Sequence, residues 1–250
     1  MKIDLTQKVA IVTGSSKGIG AAIAKELAAC GAIVIVTYHS AVSDAEGVAN
    51  AIRETGGQAI ALQADMARHA DIIDLLKQVK ERFGKLDVLV NNAGIARFGP
   101  IEAVTEDDFL EQYRVNVLGP MLTIQESLKY FPKTGGSIVN ISSVGGQNPG
   151  PYTSIYTSSK AALNALTVSL SRELVNRRIR VNTVAPGPTD TEGSKALGLA
   201  GSAIEKGMIA AIPMGRFGKP DEIAPAVAFL ASDNAGWITG EKIAVSGGMR

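Results

Sequence analysis

Short runs rich in valine and isoleucine recur at 9–12, 33–36, 59–62, 88–90, 137–141, 180–184 and 243–245, and no other feature restricts the fold as strongly. Such runs suit strands covered on both faces, which have no polar side to show. Helical patterns occupy the intervals near 18–30, 43–55, 69–82, 105–130, 154–176 and 221–231. Strand and helix therefore alternate from end to end. That rhythm predicts an α/β fold, a doubly wound parallel sheet of seven strands with helices on both faces. The 250 residues, 46% of them hydrophobic, suffice for one substantial core, and no linker, repeat or low-complexity tract divides them. A single domain over 1–250 is expected. The one long irregular stretch, 186–220, is rich in Gly, Pro and small residues and follows a strand end, where open α/β sheets bind ligands. It predicts a substrate flap at about 187–215.

Charge and composition narrow the partners. Lys and Arg number 25 against 24 Asp and Glu, a net +1 with no long run of one sign, so no footprint for nucleic acid exists. Small molecules are the expected partners. The N-terminus shows no secretory pattern, and no segment reaches the roughly 18 unbroken apolar residues that span a bilayer. The chain is expected to be cytoplasmic, with no membrane partner. Cys30 is the only cysteine and reads as a core thiol, while His39 and His69 lack metal-ligand spacing, so no metal site is expected.

Thr13-Gly14-Ser15-Ser16-Lys17-Gly18-Ile19-Gly20 follows the first strand and opens the first helix. Glycines permit a tight turn there, and free backbone N–H groups at a helix N-terminus attract the oxygens of a diphosphate. The pattern Thr-Gly-x-x-x-Gly-x-Gly resembles the fingerprint of the short-chain dehydrogenase/reductase family, whose glycine spacing is wider than in the common dinucleotide motif. Asn91-Asn92-Ala93-Gly94 resembles a second signature of that family. The resemblance covers essentially the whole chain and implies a Rossmann-like fold. It also implies cofactor contacts at Gly14, Ser16, Gly18, Ile19, Gly20, Asp65, Met66, Asn92, Ala93 and Gly94, with Asp65 capping the adenine ring. An NAD-selective site places a carboxylate just after the second strand, to hold the ribose 2′-hydroxyl. Here that place reads Thr37-Tyr38-His39-Ser40, and no acid follows until Asp44. A 2′-phosphate would meet no repulsion, and Lys17 could pair with it. NADP is the expected cofactor, with Tyr38, His39 and Ser40 at the 2′ position and NAD as a weaker alternative.

Tyr156 and Lys160 stand four residues apart at the start of a helical segment, on one helix face. A nearby ammonium stabilises a phenolate, whose parent phenol has a pKa of about 10, and so makes tyrosine usable in proton exchange. Ser143 lies 13 residues before Tyr156 and matches the family's catalytic serine; Ser142 is the competing choice, expected instead to make a local backbone bond. Asn116 resembles the family's helix asparagine, which completes a proton relay through water. The resemblance implies hydride transfer between nicotinamide and a carbonyl carbon while Tyr156 exchanges a proton with the oxygen, Ser143 holds that oxygen and Lys160 grips the nicotinamide ribose. Pro186, Gly187, Thr189 and Thr191 match a segment that contacts the carboxamide. The chain is similar to bacterial 3-oxoacyl carrier-protein reductases and to polyhydroxynaphthalene reductases, relatives that commonly assemble as homotetramers. The expected function is an NADPH-preferring oxidoreductase of a carbonyl or secondary alcohol. The alternatives are an NAD-linked secondary-alcohol dehydrogenase and a non-catalytic NADP-binding regulator. Arg97 reads as a solvated arginine, with an anionic substrate tail as the alternative partner.

Overall fold

The computed structural model describes residues 2–196 and 201–249. Residues 197–200, within the expected flap, lie outside the described residues, as do Met1 and Arg250. The strands are β1 (Val9–Val12), β2 (Ile33–Tyr38), β3 (Gln58–Gln63), β4 (Val88–Asn91), β5 (Gly136–Ile141), β6 (Ile179–Pro186) and β7 (Lys242–Val245). They form one parallel sheet in the order β3-β2-β1-β4-β5-β6-β7. The order reverses between β1 and β4, and a crevice opens at such a switch point beyond the carboxyl ends of the strands.

Alternation along each strand sends side chains to opposite faces even where every residue is apolar. Ala10, Val12, Val34, Val36, Val88 and Val90 pack with α1 (Gly18–Ala29), α2 (Val42–Glu54) and α9 (Pro220–Ala231). Val9, Ile11, Ile35, Leu89 and Ile138 pack on the other face with α3 (His69–Phe83), α5 (Gly119–Ser127) and α6 (Ser154–Glu173). Covering both faces leaves little of the central sheet wet, which is why its central strands are mostly apolar. Cys30 ends α1 half-buried against the first of these cores rather than within it.

Two segments depart from the expected pattern. The interval 105–130 is not one uniform helix: α4 (Glu106–Tyr113) passes through a π turn at Arg114–Leu118 into α5. The cause lies at Pro120, which has no N–H, so Asn116 four residues earlier lacks its α-helical donor and the ladder slips. The interval 186–220 is also less irregular than its composition predicts, for it contains α7 (Glu192–Ala196) and α8 (Ala203–Ala210). Ser202 caps α8 by accepting a hydrogen bond from the Glu205 N–H at 3.1 Å, a local signal that outweighs the surrounding glycines.

Candidate active site

The turn after β1 is held as a cradle. Gly14 and Gly18 adopt left-handed φ of +60° and +58°, open to glycine at little cost. The Asn92 carboxamide donates to the carbonyls of Thr13 and Gly14, both at 2.9 Å, and the Thr13 hydroxyl accepts from the N–H groups of Asn92 and Ala93. Asn92 thus acts through its side chain on the turn itself. A Cβ on Gly20 would lie 2.4 Å from the Asn92 amide nitrogen and 2.6 Å from the Gly14 carbonyl, so this position admits no side chain. Lys17 stands at the N-cap of α1 with no capping side-chain bond, which leaves the first N–H groups of the helix for an anion. Ser16 and Ile19 are partly exposed beside it.

The second strand supplies the next wall. Thr37 is buried, and its hydroxyl accepts from the Gly14 N–H at 3.0 Å, so it braces the turn and does not face a ribose. Tyr38 is half-buried and His39 and Ser40 are exposed, which makes these three the rim. The His39 imidazole lies 3.8 Å from the Asp65 carboxylate, joining the ends of β2 and β3. Asp65 also accepts from the Ala67 N–H at 2.9 Å. The Met66 side chain is buried with its sulfur 4.0 Å from the Thr123 hydroxyl, and its carbonyl packs against Gly119.

Ser143, Tyr156, Lys160 and Asn116 converge at the carboxyl end of β5. The Ser143 hydroxyl accepts from the Gly145 N–H at 3.1 Å and is hydrogen-bonded to the Tyr156 phenol. Ser142 is turned the other way: its hydroxyl donates to the Lys160 carbonyl at 3.1 Å, a backbone bond, though to α6 and not a local one. The Lys160 ammonium is buried, donates to the Ile141 carbonyl at 3.0 Å and lies 5.8 Å from the Tyr156 ring centroid. Gly94 closes the group, since a Cβ there would come within 3.2 Å of the Asn116 carboxamide oxygen and 3.3 Å of the Lys160 nitrogen. The Asn116 side chain is fully engaged, exchanging bonds with both backbone groups of Ile95 at 2.9 Å and donating to Ser159 at 3.0 Å. Ser159 is a residue the sequence reading missed. It donates to the Tyr156 carbonyl at 2.7 Å and links Asn116 to α6, and only its place between Tyr156 and Lys160 hinted at this.

The electrostatics correct one expectation. Burial pushes the Tyr156 phenol above its ordinary value, the Ser143 bond pulls it partly back, and no lowering by Lys160 is seen. The ammonium faces a carbonyl, and burial brings its own pKa down to about 8. A protonated phenol bonded to a serine hydroxyl is a general acid for a carbonyl oxygen.

Beyond β6, Pro186 ends the strand and the Gly187 N–H donates to the Val245 carbonyl at 3.0 Å. Thr189 turns its hydroxyl onto the Gly187 carbonyl at 2.9 Å. Thr191 packs over the glycine turn, its methyl 3.5 Å from the place of a Gly18 Cβ. Arg97 is not available to an anionic tail, because Glu111 and Asp108 already hold its guanidinium.

The chain is similar to known proteins over almost its whole length. Residues 14–250 match the family model described as enoyl-(acyl carrier protein) reductase. An uncharacterized oxidoreductase of Methylorubrum extorquens is 50% identical, covering 98% of this chain and 99% of that protein. The structure of an angucycline C-6 ketoreductase with bound NADP is 40% identical with a TM-score of 0.92, covering 98% of this chain and 96% of that one. A blue fluorescent protein from a metagenomic library, in complex with NADPH, is 38% identical with a TM-score of 0.92, covering 98% and 99%. Likeness of this extent in both sequence and structure places the chain in the short-chain dehydrogenase/reductase family of oxidoreductases.

Proposed function

We propose that the chain is an NADPH-preferring carbonyl reductase in which Tyr156 is the proton donor. The observation that carries this reading is the Tyr156 phenol, hydrogen-bonded to Ser143 beside the buried Lys160 ammonium. The residues around the glycine turn fit a dinucleotide: the Gly14–Gly20 cradle would be filled by any Cβ at Gly20, and the start of α1 has no side-chain cap. When bound, the nicotinamide supplies the hydride. Gly14, Ser16, Gly18, Ile19 and Gly20 take the diphosphate, and Lys17 pairs with the 2′-phosphate. Tyr38, His39 and Ser40 meet the 2′-phosphate, and Asp65, Met66, Asn92, Ala93 and Gly94 line the adenosine side. Pro186, Gly187, Thr189 and Thr191 close the nicotinamide end. Ser143 orients the substrate oxygen, Tyr156 transfers its proton there, and Lys160 holds the ribose hydroxyls. The Asn116 carbonyl carries a water that reconnects Lys160 to solvent. The NADP-bound ketoreductase and the NADPH complex among the similar structures support the same cofactor.

Absorbance of reduced nicotinamide, followed with NADPH and NADH against cyclic ketones, diketones, aldehydes and acetoacetyl thioesters, tests the reading. Oxidation of NADPH dependent on a carbonyl compound is the expected result, and preference for NADH overturns the cofactor assignment. His39→Asp is expected to move the NADPH/NADH ratio of kcat/KM by about tenfold toward NADH, because a carboxylate then opposes the 2′-phosphate. An unchanged ratio places that phosphate elsewhere.

The segment 187–215 serves as the substrate flap, and the chain works in the cytoplasm as a homotetramer. Phe109, Leu110, Leu118 and Met121 expose apolar side chains along α4 and α5, surface that suits burial between subunits. Light scattering is expected to give the mass of four chains. Among the described residues, no helix is long and apolar enough to cross a membrane.

A further inference from the structure

A cavity of about 300 Å³ opens beside the catalytic group, lined by Arg97, Phe98, Val104, Asp108, Tyr152 and Ile155 among others. Phe98 forms the partition, its ring edge-on to Tyr156 with centroids 5.4 Å apart. A substrate whose carbonyl sits at Tyr156 would extend into this space. We propose that Asp108 and Glu111 are specificity-determining residues that neutralise Arg97 and restrict the cavity to uncharged ring ketones. The inference rests on the reductase reading above and names its substrate class.

Charge decides the argument. Arg97 Nε donates to Glu111 Oε2 at 2.8 Å and lies 3.3 Å from Asp108 Oδ1, while Nη2 also meets Glu111. These side chains are partly exposed, and exposed pairs are individually weak. Weakness of the pairs does not restore a free cation, however, since two carboxylates surround one guanidinium and the trio keeps a net negative charge in any arrangement. Asp108 is fixed further by the Thr105 hydroxyl, which donates to its Oδ2 at 2.6 Å. The N-terminus of α4 would ordinarily favour an anion. Here Thr105 caps it, and Glu106, Asp107 and Asp108 occupy its first turn. On the loop, Gln112 accepts the Arg97 backbone N–H at 2.6 Å and Asn116 grips Ile95, so the backbone that carries Arg97 is held in place. A carboxylate or phosphate entering the cavity meets Asp108 with no unpaired cation to offset it. A neutral ring meets Phe98, Val104, Tyr152 and Ile155.

The test uses two ketones of equal shape, 4-acetylbenzamide and 4-acetylbenzoate, titrated calorimetrically into the protein saturated with NADP+ at low salt. The benzamide is expected to bind, and the benzoate to bind about tenfold more weakly or worse, because a like charge at this range is only partly screened. In the double variant Asp108→Asn/Glu111→Gln, which keeps the Thr105 contact and the side-chain shapes, the benzoate is expected to equal or exceed the benzamide. Affinity for the benzamide should stay within about twofold, which reports an intact fold. Equal binding of both ketones to the unaltered protein, an unchanged ratio in the variant, or binding of neither ketone overturns the proposal. NADPH oxidation measured in parallel separates the two claims. The expected binding order without turnover counts against the reductase reading alone, whereas turnover with no charge discrimination counts against the specificity residues alone.

Discussion

Tyr156→Phe is expected to lower kcat for carbonyl reduction by about 10³-fold, the range lost with a positioned proton donor. The substitution removes one oxygen and leaves the ring, so the edge-on contact with Phe98 and the packing of α6 persist. Affinity for NADPH should therefore change little, and titration of cofactor fluorescence checks it. Retained turnover would show that another group supplies the proton. Because burial raises the Tyr156 pKa, the phenol stays protonated throughout the neutral range. Reduction needs that protonated form, whereas alcohol oxidation needs the phenolate. At neutral pH the enzyme should therefore run faster toward the alcohol, and oxidation should gain steadily as pH rises.

Lys160→Met is expected to abolish most turnover and yet stabilise the fold at neutral pH. Burial lowers the ammonium pKa from 10.5 to about 8, a depression corresponding to about 3 kcal/mol. Below pH 8 both folded and unfolded chains hold the proton, so this cost is present in full. Between about 8 and 10.5 only the unfolded chain holds it, and wild-type stability rises with pH through that window. The methionine variant loses the hydrogen bond to the Ile141 carbonyl, worth about 1 kcal/mol, but escapes the desolvation. A gain of about 2 kcal/mol at pH 7, shrinking to nothing or reversing above pH 10, is the expected result by denaturant titration. A variant less stable than wild type at pH 7 would mean that the ammonium is better solvated than its burial implies.

The architecture was legible because its signals are local. A parallel sheet covered on both faces favours strands rich in apolar residues, and such runs stand in the chain at almost the positions the strands occupy. The glycine turn and the Tyr156–Lys160 pair were legible for the same reason, since one turn or one helix face fixes their geometry at short range. Where two nearby residues competed, as at Ser142 and Ser143, the spacing to Tyr156 favoured Ser143, and the fold shows what each meets: one hydroxyl the Lys160 carbonyl and the other the Tyr156 phenol.

What the sequence by itself determined, then, is the order of elements, the cradle and a set of candidate reacting groups. Tertiary structure alone decided what each polar group meets. It turned Thr37 inward to the Gly14 N–H, spent the Asn116 carboxamide on Ile95 and Ser159, locked Arg97 between two acids and raised the Tyr156 pKa when an adjacent lysine predicted the opposite. Each of these depends on segments far apart in the chain meeting at one place. Burial, charge and hydrogen bonding act through space, and a one-dimensional pattern records only neighbours along the chain.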